Sequence, residues 1–122
     1  MIYGIGIDLT EKKRIRKLLI NHSSRFVERI LTCEEQLIYQ SFQSFEKKIE
    51  FLGGRFSAKE SYSKALGTGF NGLSFQDLAI LNHTNGNPYF LYHPYKGKSY
   101  VSITHTDELV MTEVILVEKN EI

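Results

Sequence analysis

Residues 46–67 read EKKIEFLGGRFSAKESYSKALG, and this stretch decides the fold. Ile49, Leu52, Phe56 and Ala65 recur at helical spacing from about Glu46 to Leu66, and Gly67 follows as a helix-ending residue, so the segment predicts one long helix. Charges interleave with Phe56, Ala58, Tyr62 and Ala65, which predicts a half-buried helix rather than a solvated one. On it Glu60 and Lys64 stand four apart, as do Arg55 and Lys59. The plain account is an i,i+4 ion pair; the alternative is a carboxylate that needs a cation or a metal ion because it is partly buried.

Outward from the helix, the chain changes character on both sides. Residues 2–8 alternate, with Tyr3, Ile5, Ile7 and Leu9 on one face and Gly4, Gly6 and Asp8 on the other, which predicts a strand whose second face is kept small. The two glycines serve close packing, or they make room beside Asp8. Thr10 is placed as the N-cap of a helix over residues 11–20 that carries Ile15, Leu18 and Leu19 together with Lys12, Lys13, Arg14, Arg16 and Lys17. Thr32 with Glu35 fits a capping box for a helix to about Phe42, with Cys33 as a semi-buried thiol in its first turn. Beyond Gly67 the pattern turns to short apolar runs at 78–81, 88–92, 100–103 and 109–117, with Asn85-Gly86 as a hairpin signal. The predicted class is α+β: an N-terminal strand and helices, then an antiparallel meander packed on the long helix, all in a single domain over residues 1–122.

Composition narrows the functional classes. The chain has 122 residues, 42% of them apolar and 24% charged, with a net charge of +1. A chain of this size buries roughly two-thirds of its surface in one core. Bulk charge gives no reason to expect nucleic-acid binding. The single Cys33 cannot form an internal disulfide, and no apolar run reaches membrane-spanning length, so a cytoplasmic protein without signal peptide or membrane partner is expected.

Gly4-Ile5-Gly6 does not make a dinucleotide fingerprint, because Leu9 stands where the third glycine belongs and the glycines lie within the strand. There is no Walker-type phosphate loop. Two hard oxygen ligands, Asp8 at a strand end and Glu60 on a helix, with Lys64 beside them, suit a Mg²⁺ ion completed by substrate phosphates. His105 closes the run Val101-Ser102-Ile103-Thr104-His105; it is a hydrogen-bonded surface residue or a phosphate contact. His22, His83 and His93 fall in loop-like stretches and are given no role.

Taken in order, these segments resemble the holo-acyl-carrier-protein synthases, the small single-domain class of 4′-phosphopantetheinyl transferases. The resemblance rests on Gly4-Ile5-Gly6-Ile7-Asp8 with Lys13-Arg14-Ile15, Arg25-Phe26, Arg29-Ile30-Leu31-Thr32, and Gly54-Arg55-Phe56 with Lys59-Glu60. It continues in Lys64-Ala65-Leu66-Gly67-Thr68-Gly69, Ser74-Phe75-Gln76-Asp77, Asn85-Gly86-Asn87-Pro88 and Ser102-Ile103-Thr104-His105-Thr106. It implies transfer of the phosphopantetheine arm of coenzyme A to a serine of acyl carrier protein, releasing adenosine 3′,5′-bisphosphate and supplying holo-carrier for fatty acid synthesis. By the same resemblance Asp8 and Glu60 hold Mg²⁺, with Mn²⁺ as the alternative ion, and Asp8, Glu60, Lys64 and His105 form the catalytic set. Arg55, Lys64, Gly67, Asn85, Gly86, Pro88 and His105 would hold coenzyme A. Arg14, Lys17, Leu18 and Arg25 would dock the acidic carrier, and the family implies a homotrimer with sites between subunits. Asn87 replaces a usual Lys, Ser61 a usual Ala, Asn21 a usual basic residue, and Val110-Met111-Thr112 an Ala-rich strand. The competing reading is a docking module for an acidic carrier protein that binds coenzyme A or a nucleotide without catalysis.

Overall fold

The computed structural model describes residues 1–120. Its elements run β1 (Ile2–Glu11), α1 (Lys12–Ile30), α2 (Cys33–Ser41), α3 (Phe45–Leu66), a short 3₁₀ turn (Phe75–Asp77), β2 (Ala79–Asn82), β3 (Pro88–Tyr92), β4 (Lys98–His105) and β5 (Leu109–Val117). The α+β class holds. The strands divide into two antiparallel sheets, however: β1-β5-β4, and the hairpin β2-β3. β1 and β4 flank β5, so the first strand is joined to the last part of the chain rather than standing alone.

α3 begins with Ser44 accepting from the Lys47 amide and ends with Gly67 at φ 91°, the left-handed conformation that glycine adopts without strain. It packs across the sheet, and its fit against β1 explains the glycine pair. A Cβ on Gly4 would stand 1.9 Å from the Ala65 carbonyl oxygen, and one on Gly6 1.8 Å from that of Ser61. Two apolar clusters fill the layers around it. Ile15, Leu19, Ile30, Ile49, Leu52 and Phe56 form one, under α1; Tyr62, Ala65, Leu78, Val114 and Leu116 form the other, under β5.

Four local expectations need correcting. Thr10 lies within β1 and its hydroxyl donates to Asp8, so Glu11 stands at the helix start without a side-chain cap. α1 runs on to Ile30, broken by non-helical angles at His22 (φ −141°, ψ 34°), because Phe26 and Val27 after the kink pack on the first cluster. Cys33 is exposed rather than semi-buried, since the capping box turns the first turn of α2 outward and buries Glu35 instead. His93 has a partner: its Nδ1 shares a hydrogen bond with the Tyr62 hydroxyl at 3.1 Å, and burial holds its pKa below the ordinary histidine value.

The outer face of the three-stranded sheet is apolar and uncovered. Tyr3, Ile5, Ile7 and Leu9 of β1, Tyr100 of β4 and Met111 of β5 are each about half exposed or more. No described helix is long and apolar enough to cross a membrane.

Candidate active site

Asp8 sits on the α3 side of β1, opposite Thr112 of β5. Its Oδ2 accepts from the Thr10 hydroxyl at 2.7 Å and the Ser57 hydroxyl at 2.8 Å. Its Oδ1 faces Lys64, whose ammonium lies 3.4 Å away and donates to the Ile7 carbonyl at 2.9 Å. The i,i+4 pair expected between Glu60 and Lys64 is therefore not the one that forms. Lys64 reaches across to β1, where a carbonyl and a carboxylate together draw it. Glu60 has no ion-pair partner among the described residues.

Glu60 is half-buried one turn before Lys64. Its pKa is raised above the ordinary glutamate value, first by burial and then by the charge of Asp8, with Lys64 and Arg14 pulling the other way. The charge of Asp8 thus reaches Glu60. No group of three or more His, Cys, Asp or Glu side chains gathers among the described residues; Asp8 and Glu60 are two hard-oxygen donors that could share a cation. Two carboxylates that repel each other, with open space beside them, fit a divalent cation that takes its remaining ligands from phosphate and water.

That open space is a cleft of about 610 Å³ bordered by Glu60. Phe70 stacks on Phe75 at 4.3 Å between centroids, and Phe75 on Phe56 at 5.8 Å, so one wall is an aromatic stack. Sequence reasoning missed this wall: Phe70 lies within the glycine-rich turn after α3 and Phe75 just beyond it, with no periodicity to connect them. Arg14 and Leu18 of α1 close the outer side, Arg14 with its guanidinium 5.4 Å over the Phe56 ring. Arg25 and Leu18 line an adjoining groove, and Lys17 and Arg25 are exposed. Of the other basic residues on this helix, Lys12 is buried and Arg16 pairs with Glu46 at 2.6 Å. The basic face is narrower than the sequence suggests.

Five expected coenzyme A contacts, Arg55, Asn85, Gly86, Pro88 and His105, are not part of that cleft's lining. Arg55 is 5% exposed: its Nε donates to the Ile80 carbonyl at 3.1 Å, a terminal NH₂ donates to Asn82, and the group lies 4.2 Å over Phe51. Burial lowers its pKa to about 10, against the pull of Glu35. What Arg55 holds within this chain is the β2-β3 hairpin, because Asn82 in turn donates to the Gly86 carbonyl at 2.9 Å. In that turn the Asn85 side chain accepts from the Asn87 amide at 3.0 Å, Gly86 has φ 96°, and Pro88 opens β3. His105 is set between Lys12, 3.4 Å from its Nδ1, and Glu50, 3.4 Å from its Nε2. Glu50 precedes Glu60 by ten residues of α3, about 15 Å along the helix. One chain therefore brings Asp8, Glu60 and Lys64 together and keeps His105 apart from them.

Comparison with known proteins identifies the family and the fold. Residues 4–115 match the profile of the 4′-phosphopantetheinyl transferase superfamily. The chain is 45% identical over 122 residues to the holo-[acyl-carrier-protein] synthase of Levilactobacillus brevis, covering 99% of this chain and 98% of the relative. It is 48% identical over 116 residues to that of Lacticaseibacillus casei, covering 95% and 92%. Among solved structures it is similar to a holo-(acyl-carrier-protein) synthase of Bacillus anthracis in complex with CoA (3′,5′-ADP), with a TM-score of 0.87, 39% identity, and 95% and 96% of the two chains covered. The Helicobacter pylori holo-[acyl-carrier-protein] synthase in complex with coenzyme A gives a TM-score of 0.81 at 28% identity, covering 93% and 99%. With a family match across nearly all of its length and a fold shared with these enzymes, the chain belongs to the 4′-phosphopantetheinyl transferase superfamily.

Proposed function

We propose that this protein is a holo-acyl-carrier-protein synthase: it transfers the 4′-phosphopantetheine arm of coenzyme A to a serine hydroxyl of apo-acyl carrier protein and releases adenosine 3′,5′-bisphosphate. The observation that carries the reading is the meeting of Asp8 and Lys64, whose charges act on Glu60, with Glu60 itself bordering the cleft walled by Arg14 and Leu18. The names of the relatives, and the coenzyme A-derived ligands in two of the similar structures, support it.

Asp8 and Glu60 would hold Mg²⁺, or Mn²⁺ in its place, which when bound neutralises pyrophosphate charge and favours departure of the bisphosphate. Lys64 is anchored at Ile7 and Asp8 yet 53% exposed, so its ammonium keeps a donor for a phosphate oxygen. The serine oxygen forms a bond to the β-phosphorus as the bond from that phosphorus to the bridging oxygen breaks, and the serine proton passes to a base. Glu60 is the carboxylate left open to serve as that base, since it has no ion-pair partner among the described residues, whereas Asp8 Oδ2 already accepts two hydroxyls. Arg14, Lys17, Leu18 and Arg25 dock the carrier: cations steer an acidic partner and Leu18 gives it an apolar anchor.

The working form we propose is a homotrimer of single-domain chains, residues 1–122, in the cytoplasm. A sheet face bearing Tyr3, Ile5, Ile7, Leu9, Tyr100 and Met111 in the open calls for a second copy to cover it. Sharing the site would also bring the Gly67 end of α3, the Asn85-Gly86-Pro88 turn and His105 to the coenzyme A of a neighbouring copy, with Arg55 acting through the turn it supports. An exposed free Cys33 suits a reducing compartment. The test is intact mass spectrometry of apo-acyl carrier protein incubated with coenzyme A, with and without Mg²⁺. A gain of one phosphopantetheine arm only with metal is expected, and an unchanged carrier would leave the non-catalytic docking module as the reading.

A further inference from the structure

Behind Asp8 lies a line of three hydroxyls sealed from solvent. Ser57 and Ser61 stand one turn apart on α3, and Thr112 faces them from β5; each is 2% exposed or less. Thr112 Oγ1 lies 2.9 Å from Ser57 Oγ and 2.7 Å from Ser61 Oγ, and Ser57 Oγ lies 2.8 Å from Asp8 Oδ2. Ser61 Oγ is also 3.2 Å from the Thr112 carbonyl.

Each hydroxyl has one hydrogen to give, and an ionised carboxylate only accepts. The hydrogen of Ser57 therefore goes to Asp8. Where all three contacts are hydrogen bonds, Thr112 donates to Ser57 and Ser61 donates to the Thr112 hydroxyl, with the Thr112 carbonyl as a second acceptor for Ser61. The donors all run one way, from Ser61 through Thr112 and Ser57 to Asp8, and in a dry interior each bond polarises the next. Thr10 adds a donor to the same oxygen from β1. Oδ2 is thereby fixed, and Oδ1 is the oxygen turned toward Lys64.

We propose that Ser57, Thr112 and Ser61 are positioning residues that act in series to orient Asp8 for the divalent ion. The inference rests on the reading of Asp8 as a metal ligand. It is tested on the full-length protein with Mn²⁺ alone as probe, its affinity read from the electron paramagnetic resonance signal of free Mn²⁺, alongside circular dichroism and light scattering. Ser57→Ala and Thr112→Val each weaken Mn²⁺ binding about tenfold, the scale seen when groups supporting a metal ligand are removed. The double variant binds no more weakly than Ser57→Ala, because the two act through one line, and Thr112→Ser restores the wild-type affinity. Should Thr112→Val fail to fold, Ser61→Ala, the smallest truncation, gives a smaller loss in the same direction. Unchanged Mn²⁺ affinity in folded Ser57→Ala, or fully additive losses in the double variant, overturns the inference. Asp8→Asn separates the two levels: if it binds Mn²⁺ as the wild type does, the metal reading itself fails, whereas if it loses the ion and Ser57→Ala does not, only the positioning role fails.

Discussion

Lys59 Nζ lies 2.6 Å from Glu35 Oε1, and neither side chain reaches solvent. The ammonium also donates to the carbonyls of Ile30 at 2.6 Å and Phe75 at 3.1 Å. Glu35 in turn accepts from the amides of Thr32 and Ile80, both at 2.8 Å. One ion pair thus ties the end of α1, the start of α2, the turn bearing Phe75, and β2 to the middle of α3. Phe75 belongs to the aromatic wall of the cleft, so this buried pair sets the shape of the site without touching substrate.

Lys59→Met should therefore act on stability first. It leaves a buried carboxylate without its cation, which costs about 3–5 kcal/mol. Urea unfolding at fixed protein concentration measures it, and a loss below about 1 kcal/mol would mean that the pair matters little.

Glu60 gives a pH dependence of definite sign. Its folded-state pKa is raised, chiefly by burial and next by Asp8, so the ionised form is the disfavoured one in the metal-free fold. Its contribution to stability is full below the ordinary glutamate range and is lost as pH rises through the raised value. Glu60→Gln should remove that slope and make the metal-free protein more stable at neutral pH while abolishing transfer. Thermal melts across pH 4–8 in chelator check this, with a stability gain confined to the upper part of the range expected. A variant less stable than wild type at neutral pH would contradict the electrostatic account.

Separation of His105 from Glu60 within one chain predicts complementation. Glu60→Gln and His105→Ala, each impaired alone, regain activity when co-refolded, since about a quarter of the sites between randomly mixed copies then draw both intact residues from different chains. Ile7→Lys, placed on the uncovered sheet face, should yield smaller particles by light scattering and lose transfer together with assembly. Mixtures no more active than their parts would argue against a shared site.

Arg14 is exposed beside Leu18 at the cleft. Arg14→Glu should raise KM for the carrier tenfold or more, leave KM for coenzyme A within about twofold, and flatten the loss of activity with added salt. Steady-state kinetics with each substrate varied at several salt concentrations would show this, and equal effects on both substrates would remove Arg14 from the carrier surface.

The long helix, the capping box at Thr32, the hairpin at Asn85-Gly86 and the close approach at Gly4 and Gly6 were all legible in the sequence, because each has a local signature in spacing or turn chemistry. Asp8 and Glu60 were legible as carboxylates on separate elements, and in the fold the charge of Asp8 reaches Glu60. The rest depended on which elements meet. Nothing local marks Lys59 as the buried partner of Glu35, since the two are separated by 24 residues. Nor does the run Ser57, Ser61 and Thr112 announce a hydroxyl line, because small polar residues carry no periodic signal. The apolar side of β1 reads in sequence as a face for burial within the chain, yet α3 covers its glycine side, and Ile5 and Ile7 remain open.

The central claim is that Asp8 and Glu60 make one catalytic centre for phosphopantetheine transfer. The most direct measurement is the intact mass of apo-acyl carrier protein after incubation with coenzyme A, Mg²⁺ and wild type, Asp8→Ala or Glu60→Ala, each variant first shown to be folded and assembled as the wild type is. The account predicts a gain of one phosphopantetheine arm with the wild type and none with either variant. Full modification of the carrier by both variants would contradict it.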